Sequence, residues 1–283
     1  MTDKTDIMRG TIPQAGNVPF LFGIARAVAL PGPILTGLLI ELGMTEPAAR
    51  TLLSRLRRAE SLDVTHHGRV AVYRLAGRMA TAFRRLRRGP APGEWDGRFH
   101  TVIFDVAETE RGFKDRLRYA ATNLGYGQLR SGLLIHARDR WEALATTVGD
   151  PPDEALVEHG RLTVAPQAAQ RIAGRAWDLP TRADQLDAAA RRIETLLREP
   201  IPGDGTESLR LMHRTGSRSL ALRLADPDLP AELLPDGWAG PRLHRALHRL
   251  TERLIPTVGH HVRTIIEASS HRDLVEYEST ADG

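Results

Sequence analysis

From Ile34 onward the apolar residues keep helical time. Ile34, Leu35, Leu38, Leu39 and Leu42 recur at three- and four-residue spacing, which predicts an amphipathic helix. Gly43 then supplies a left-handed corner to end it. Thr45 stands where a second helix needs its cap, and within that helix Ala49, Leu52, Leu53 and Leu56 form one core-facing stripe. After Ala59 and Glu60 the period shortens to two. Leu62 and Val64, then Val70, Val72 and Leu75, alternate around a polar tip of His66, His67, Gly68 and Arg69, the pattern of a β-hairpin. Helix, turn, helix and hairpin within residues 34–75 is the order of a winged helix-turn-helix, whose second helix ordinarily enters the major groove of DNA.

The stripe decides which residues of the second helix face outward. Thr51, Ser54 and Arg58 fall farthest from it, with Arg50, Arg55 and Arg57 flanking them. Small hydroxyls permit close approach, and guanidiniums suit phosphate oxygens and guanine edges. Thr45, Arg50, Thr51, Ser54, Arg55, Arg57 and Arg58, with His67 and Arg69 from the hairpin tip, are therefore the expected DNA-binding residues. The alternative is a solvated face on a helix that binds protein.

The rest of the chain divides by the same signals. Val18 to Gly43 is apolar but broken by Arg26, Pro31 and Pro33, which predicts two short core helices and no membrane span. Gly89, Pro90, Ala91, Pro92 and Gly93 read as a linker. Beyond them a strand is expected from Phe99 to Val106, then a helix with Phe113, Leu117, Ala121 and Leu124 on one face, closed by Gly125. A strand from Tyr126 to Ile135, a short helix from Trp141 to Val148 and a strand from Leu156 to Val164 follow, an alternation that fits a ferredoxin-like α/β sandwich. The last third reads as helical: Leu186, Ile193 and Leu197 on one helix after Pro180 to Ala183, Leu209 to Leu224 on another, and Leu243, Leu247, Leu250 and Leu254 on a third beyond an irregular stretch from Ala225 to Gly240. The expected fold is α+β and multidomain: a winged helix-turn-helix in residues 1–89, a ferredoxin-like domain in 95–172 and a helical domain in 173–283. The helical body suits a ligand pocket or a dimer interface.

Charge sharpens this division. Residues 1–90 hold 14 Lys and Arg against 6 Asp and Glu, whereas residues 91–283 hold 25 against 29. A basic excess confined to the segment with the helix-turn-helix is the electrostatic footprint of a DNA-binding head on a body with another task. Arg84, Arg85, Arg87 and Arg88 extend it just beyond the hairpin. The chain has no cysteine, so disulfides and thiolate metal sites are excluded. Met1 to Gly10 is polar and carries both signs of charge, unlike a cleavable signal, and a cytoplasmic protein is expected. No phosphate-binding glycine loop and no Gly-x-Ser-x-Gly elbow occurs. His244 and His248, four apart, with His260 and His261, have metal-ligand spacing, but Arg242, Arg245 and Arg249 flank the pair and disfavour a cation. No cofactor, catalytic set or metal site is expected.

Three separated motifs carry a family resemblance. Trp95-Asp96-Gly97-Arg98-Phe99-His100-Thr101-Val102-Ile103-Phe104-Asp105-Val106, with Arg111, Arg116, Leu117, Gly125-Tyr126-Gly127 and Leu129-Arg130-Ser131-Gly132, resembles the central domain of the PaaX family of bacterial transcriptional regulators. Arg175-Ala176-Trp177-Asp178-Leu179 and the run Ala225 to Pro235 with Trp238 and Gly240 resemble its C-terminal signature. Thr45 to Arg50 and Leu53 to Leu56 resemble its recognition helix. The resemblance implies a one-component regulator, usually a repressor, that binds double-stranded operator DNA as a homodimer and is released by a small-molecule effector. In the best-known members that effector is phenylacetyl-coenzyme A. Here His213-Arg214-Thr215-Gly216-Ser217-Arg218-Ser219-Leu220 replaces an aromatic-rich run of the family, so an acyl-coenzyme A is expected without a named acyl group and without assigned effector-binding residues. The family's central domain is also similar to CRISPR-associated adaptation proteins, where an Asp at the end of the first strand can hold a metal. Asp105 takes that position, but it lacks the further oxygen ligands such chemistry recruits, and the chain is expected not to be an enzyme.

Overall fold

The computed structural model describes residues 14–88, 93–224 and 226–278. Met1–Gly10, most of the expected linker at Gly89–Gly93, Ala225 and the side chains of Arg85, Arg88 and Leu224 lie outside the described residues. The protein is α+β, with two four-stranded antiparallel sheets. It forms two compact units, Met1–Gly89 with Ala188–Leu224 and Arg242–Gly283, and Pro90–Asp187 with Ala225–Pro241. These units cut across the three consecutive segments read from the sequence, because later helices pack on the N-terminal elements. Among the described residues no helix is long and apolar enough to cross a membrane.

The first unit opens with α1 (Asn17–Ala25), β1 (Ala27–Pro31) and α2 (Gly32–Glu41). The two short helices expected here are present, and an unexpected strand lies between them. Arg26 turns left-handed at φ 51° and ends α1, and Leu30 and Pro31 then pair with Tyr73 and Val72. A five-residue apolar run has no period of its own to mark it as strand. Pro33 sits in the first turn of α2, where its missing N–H leaves no bond unmade. Gly43, at φ 94°, turns the chain into α3 (Glu46–Arg58), and Thr45 Oγ1 accepts a hydrogen bond from the Ala48 N–H at 3.4 Å. Ala49, Leu52, Leu53 and Leu56 are buried along it. β2 (Leu62–His67) and β3 (Val70–Leu75) pair from Leu62↔Leu75 to His67↔Val70, with Gly68 at φ 61° in the two-residue turn. α4 (Gly77–Arg88) follows.

α9 (Gly205–Leu224) and α10 (Gly240–Glu267) contribute to this unit the portions from Ala188 to Leu224 and from Arg242 onward. α10 buries Leu243, Ala246, Leu250, Leu254, Val258, Val262 and Ile266. The end of α2 is held to both helices. Thr206 Oγ1 donates to Glu41 Oε2 at 2.6 Å, His261 Nε2 lies 3.0 Å from the same oxygen, and Arg210 Nε donates to the Glu41 carbonyl at 2.6 Å. The Thr206 hydrogen bond, aided by His261 and opposed by burial, holds the Glu41 carboxyl below its ordinary range. The sheet is completed from the far end of the chain by β8 (Glu276–Tyr277), giving the order β2-β3-β1-β8.

The second unit contains β4 (Arg98–Asp105), α5 (Arg111–Asn123), β5 (Gly127–Arg130), β6 (Leu133–His136), α6 (Trp141–Val148) and β7 (Leu156–Thr163). The strand order is β5-β6-β4-β7, with every neighbouring pair antiparallel. This is the split β-α-β arrangement of ferredoxin-like sheets. The single strand expected from Tyr126 to Ile135 is instead a hairpin, folded at Ser131 and Gly132. Gly132 has φ 75°, and a Cβ there would lie 2.7 Å from the Phe104 carbonyl oxygen, so the turn needs glycine. Val102, Phe104, Val106, Phe113, Leu117, Leu134 and Leu144 make one core. Phe99, Ile135, Ala169, Ala173, Trp177, Leu179, Leu229 and Leu233 make the other, with help from α7 (Pro166–Ala176), the start of α8 (Leu179–Leu196) and the irregular 226–239 stretch.

His136 makes this unit sensitive to acid. Its ring is 8% exposed, tilted against Tyr126 with centroids 5.2 Å apart, and Nδ1 lies within 2.9 Å of the main-chain nitrogen and 2.8 Å of the carbonyl of Arg138. Burial, with the charges of Arg140, Arg138 and His100, pushes its pKa down to about 4. The unfolded chain takes up the proton near the ordinary 6.5, so this contribution to stability is complete above that pH and is lost as the pH falls toward 4. By pH 5 the loss is about 2 kcal/mol. Urea midpoints at pH 7.5 and 5 measure it, and His136→Phe is expected to reduce the difference.

Candidate nucleic-acid interface

A groove of about 700 Å³ runs between α2, α3 and the β2–β3 hairpin. Its α2 wall includes Thr36 and Ile40, its α3 wall Arg50, Ser54 and Arg57, and its hairpin wall Arg69 and Tyr73. Of the residues expected from sequence, the fold brings these four together: Arg50, Ser54, Arg57 and Arg69. The geometry of α3 explains the selection. Residues 50, 54 and 57 lie at i, i+4 and i+7, one ridge along the helix, while Thr51, Arg55 and Arg58 form a second ridge rotated about 100° from it. The first ridge lines the groove, and the second is exposed beside it. Thr45 is exposed at the start of the helix, and His67 is exposed at the hairpin tip. Neither lines the groove.

The guanidiniums are not all equally available. Arg50 Nη2 is 2.5 Å from Glu46 Oε1 in an exposed pair one turn apart on α3, and Arg58 Nη2 reaches Ser54 Oγ at 3.5 Å. Arg57 and Arg69 project from the two facing walls. Aligned cations on opposite sides of a channel suit a ligand with negative charges along its length. Tyr73 lies close to Gly32 at the start of α2, where a Cβ would fall 3.2 Å from its ring. Sequence reasoning missed Thr36, Ile40, Tyr73 and His271 in this groove. The first three carry the apolar or polar spacing of their elements alone, and His271 lies about 200 residues from the hairpin with no local signal.

The other candidate sites are differently built. Asp105 borders a pocket of about 400 Å³ with Lys114, Arg130, Ser131 and Gly132, and Lys114 Nζ is held by Glu108 Oε1 at 2.8 Å. His244 contacts the Arg223 guanidinium, His248 Nδ1 lies 3.2 Å from Glu252, and His261 is bound to Glu41. These histidines serve different partners, and among the described residues no three His, Asp or Glu side chains converge as metal ligands.

Comparison with known proteins agrees with the motifs. Residues 92–165 match the PaaX protein central Cas2-like domain, and residues 206–264 match the PaaX-like protein C-terminal domain. These two matches support a PaaX family protein, and the domains of that family indicate a transcriptional regulator. Its fold is similar to that of uncharacterized protein Rv0674 from Mycobacterium tuberculosis, with a TM-score of 0.55 and 22% identity over 82% of this chain and 90% of that one. No curated protein matches the chain.

Proposed function

We propose that this regulator binds double-stranded operator DNA through a winged helix-turn-helix, with α3 as recognition helix and the β2–β3 hairpin as wing. One observation carries the reading: Arg50, Ser54 and Arg57 of α3 share a groove with Arg69 of the hairpin. Cations on facing walls give affinity for the phosphate backbone, and the Ser54 hydroxyl and guanidinium forks give contacts for base edges. The exposed Thr51, Arg55 and Arg58 ridge, Thr45 and His67 extend that surface.

A single head with a few cationic contacts binds weakly and with little specificity, whereas two heads on a symmetric site add base contacts at fixed spacing. The working form is therefore a homodimer with twofold symmetry, acting as a repressor that a small-molecule effector releases, with an acyl-coenzyme A ester as the effector class. Sedimentation at micromolar concentration, with and without operator, checks the dimer; monomer under both conditions removes it. A mobility shift on the DNA upstream of the protein's own and neighbouring genes, at two salt concentrations and with a panel of acyl-coenzyme A esters, tests the rest. The expected result is a sequence-specific shift that one ester abolishes. A specific shift that no ester alters removes the effector class and leaves the DNA-binding role.

A further inference from the structure

We infer that the C-terminal segment His271–Glu278 is a working part of the DNA-binding head: its strand fixes the position of the wing, and His271 is a further DNA-facing residue of the groove. The inference rests on the DNA-binding reading above for its second half only.

A two-stranded hairpin alone is marginally stable in water, so something must hold the wing at a fixed angle to α3. β1 provides one layer of backing through Leu30 and Pro31. β8 provides the next, pairing Tyr277 with Ala27 and Glu276 with Ala29, while the main-chain N–H of Glu278 donates to the carbonyl of Arg26 at 3.0 Å. Without β8 the short strand β1 would be the sheet edge, with unpaired main-chain groups beside an exposed Val28.

The side chains extend this backing beyond the neighbouring strand. Glu276 pairs with Arg74 on β3, and Arg74 Nη1 in turn donates to Thr65 Oγ1 on β2 at 2.9 Å. One polar relay thus crosses from the last strand of the chain to the outer strand of the hairpin. Glu278 pairs with Arg87 on α4, the helix that follows the wing. Exposed ion pairs are individually weak, but here they act on a strand whose register the main chain already sets. Just before this strand, after α10 ends at Glu267, the chain passes the groove, and His271 lines it beside Arg50, Ser54 and Arg57. Its half-exposed ring suits a hydrogen bond to a phosphate oxygen.

Two variants of the full-length protein separate the parts. Glu276→Lys with Glu278→Pro reverses the charge opposite Arg74, removes the carboxylate at Arg87 and deletes the donor to Arg26. Amide hydrogen exchange in this variant is expected to be roughly tenfold or more faster across Ala27–Pro31 and Val70–Leu75, with Arg98–Asp105 of the second unit unchanged. Unchanged exchange in β1 and β3 would overturn the positioning role. His271→Ala is expected to keep wild-type exchange and to bind the operator roughly threefold to tenfold more weakly; wild-type binding would overturn the contact. Arg57→Ala with Arg69→Ala serves as the reference. If that variant also binds DNA like the wild type, the groove reading fails and takes the His271 contact with it, and the exchange comparison still decides the positioning role.

Discussion

Replacing Arg57 and Arg69 together by alanine is expected to weaken operator binding on the order of a hundredfold and to reduce the slope of log affinity against log salt by nearly two. The two guanidiniums stand on facing walls of one groove, and each phosphate neutralised releases close to one counterion from duplex DNA. Both side chains are exposed, so the thermal midpoint should stay within about 2 °C of wild type, as for most surface substitutions. Fluorescence anisotropy with a labelled operator over a series of salt concentrations gives both quantities. A matched variant, Arg55→Ala with Arg58→Ala, asks the same of the neighbouring ridge. Similar losses in both would mean that the duplex covers both ridges of α3; a loss confined to the second would move recognition out of the groove.

The second large effect concerns stability. Trp177→Ala is expected to destabilise the second unit by about 4–6 kcal/mol, against a total of about 5–15 kcal/mol for an ordinary domain. Trp177 is 5% exposed and packs beside Phe99 with ring centroids 6.3 Å apart. Its Nε1 donates to the Gly125 carbonyl at 2.9 Å. Truncation removes a large buried side chain and leaves that carbonyl without its partner. The space for the indole is made by Gly127, where a Cβ would fall 2.7 Å from the ring, and Gly127→Ala is therefore expected to act in the same direction. The readout is direct, because all four tryptophans, Trp95, Trp141, Trp177 and Trp238, lie in the second unit. Tryptophan fluorescence in urea follows that unit alone, and Trp177→Phe, which keeps the ring packing but not the hydrogen bond, should fall between wild type and alanine.

What was legible beforehand follows from where each element gets its information. α3 and the hairpin carry their own period, so the buried stripe Ala49, Leu52, Leu53 and Leu56 and the pairing of Leu62 with Leu75 follow from local spacing. The helices α5 and α6 of the second unit and its strands β4 and β7 were legible for the same reason. β1 was not, since Ala-Val-Ala-Leu-Pro inside an apolar run has no alternation to betray a strand. β8 is two residues long and exists through its pairing with β1, at the other end of the chain. The groove shows the same limit at the level of the site. Periodicity identified the outward residues of α3, but the groove that separates Arg50, Ser54 and Arg57 from Thr51, Arg55 and Arg58 is closed by the β2–β3 hairpin, whose Arg74 pairs with Glu276, 202 residues away in sequence. The two compact units were illegible for the same cause, because helices near residues 206–266 pack on α1 and α2 through matching faces that no local window contains.

The most direct test is a competition experiment: the intact protein on a labelled duplex from upstream of its own gene, challenged with unlabelled copies of that duplex and with random duplex of equal length. The upstream sequence is expected to compete at least about a thousandfold better at physiological salt, the lower range for a specific regulator, and the Arg57→Ala, Arg69→Ala protein is expected to bind both duplexes more weakly. Equal competition by the two duplexes, or undiminished affinity in the double variant, would contradict the assignment of α3 and the β2–β3 hairpin as the operator-reading surface.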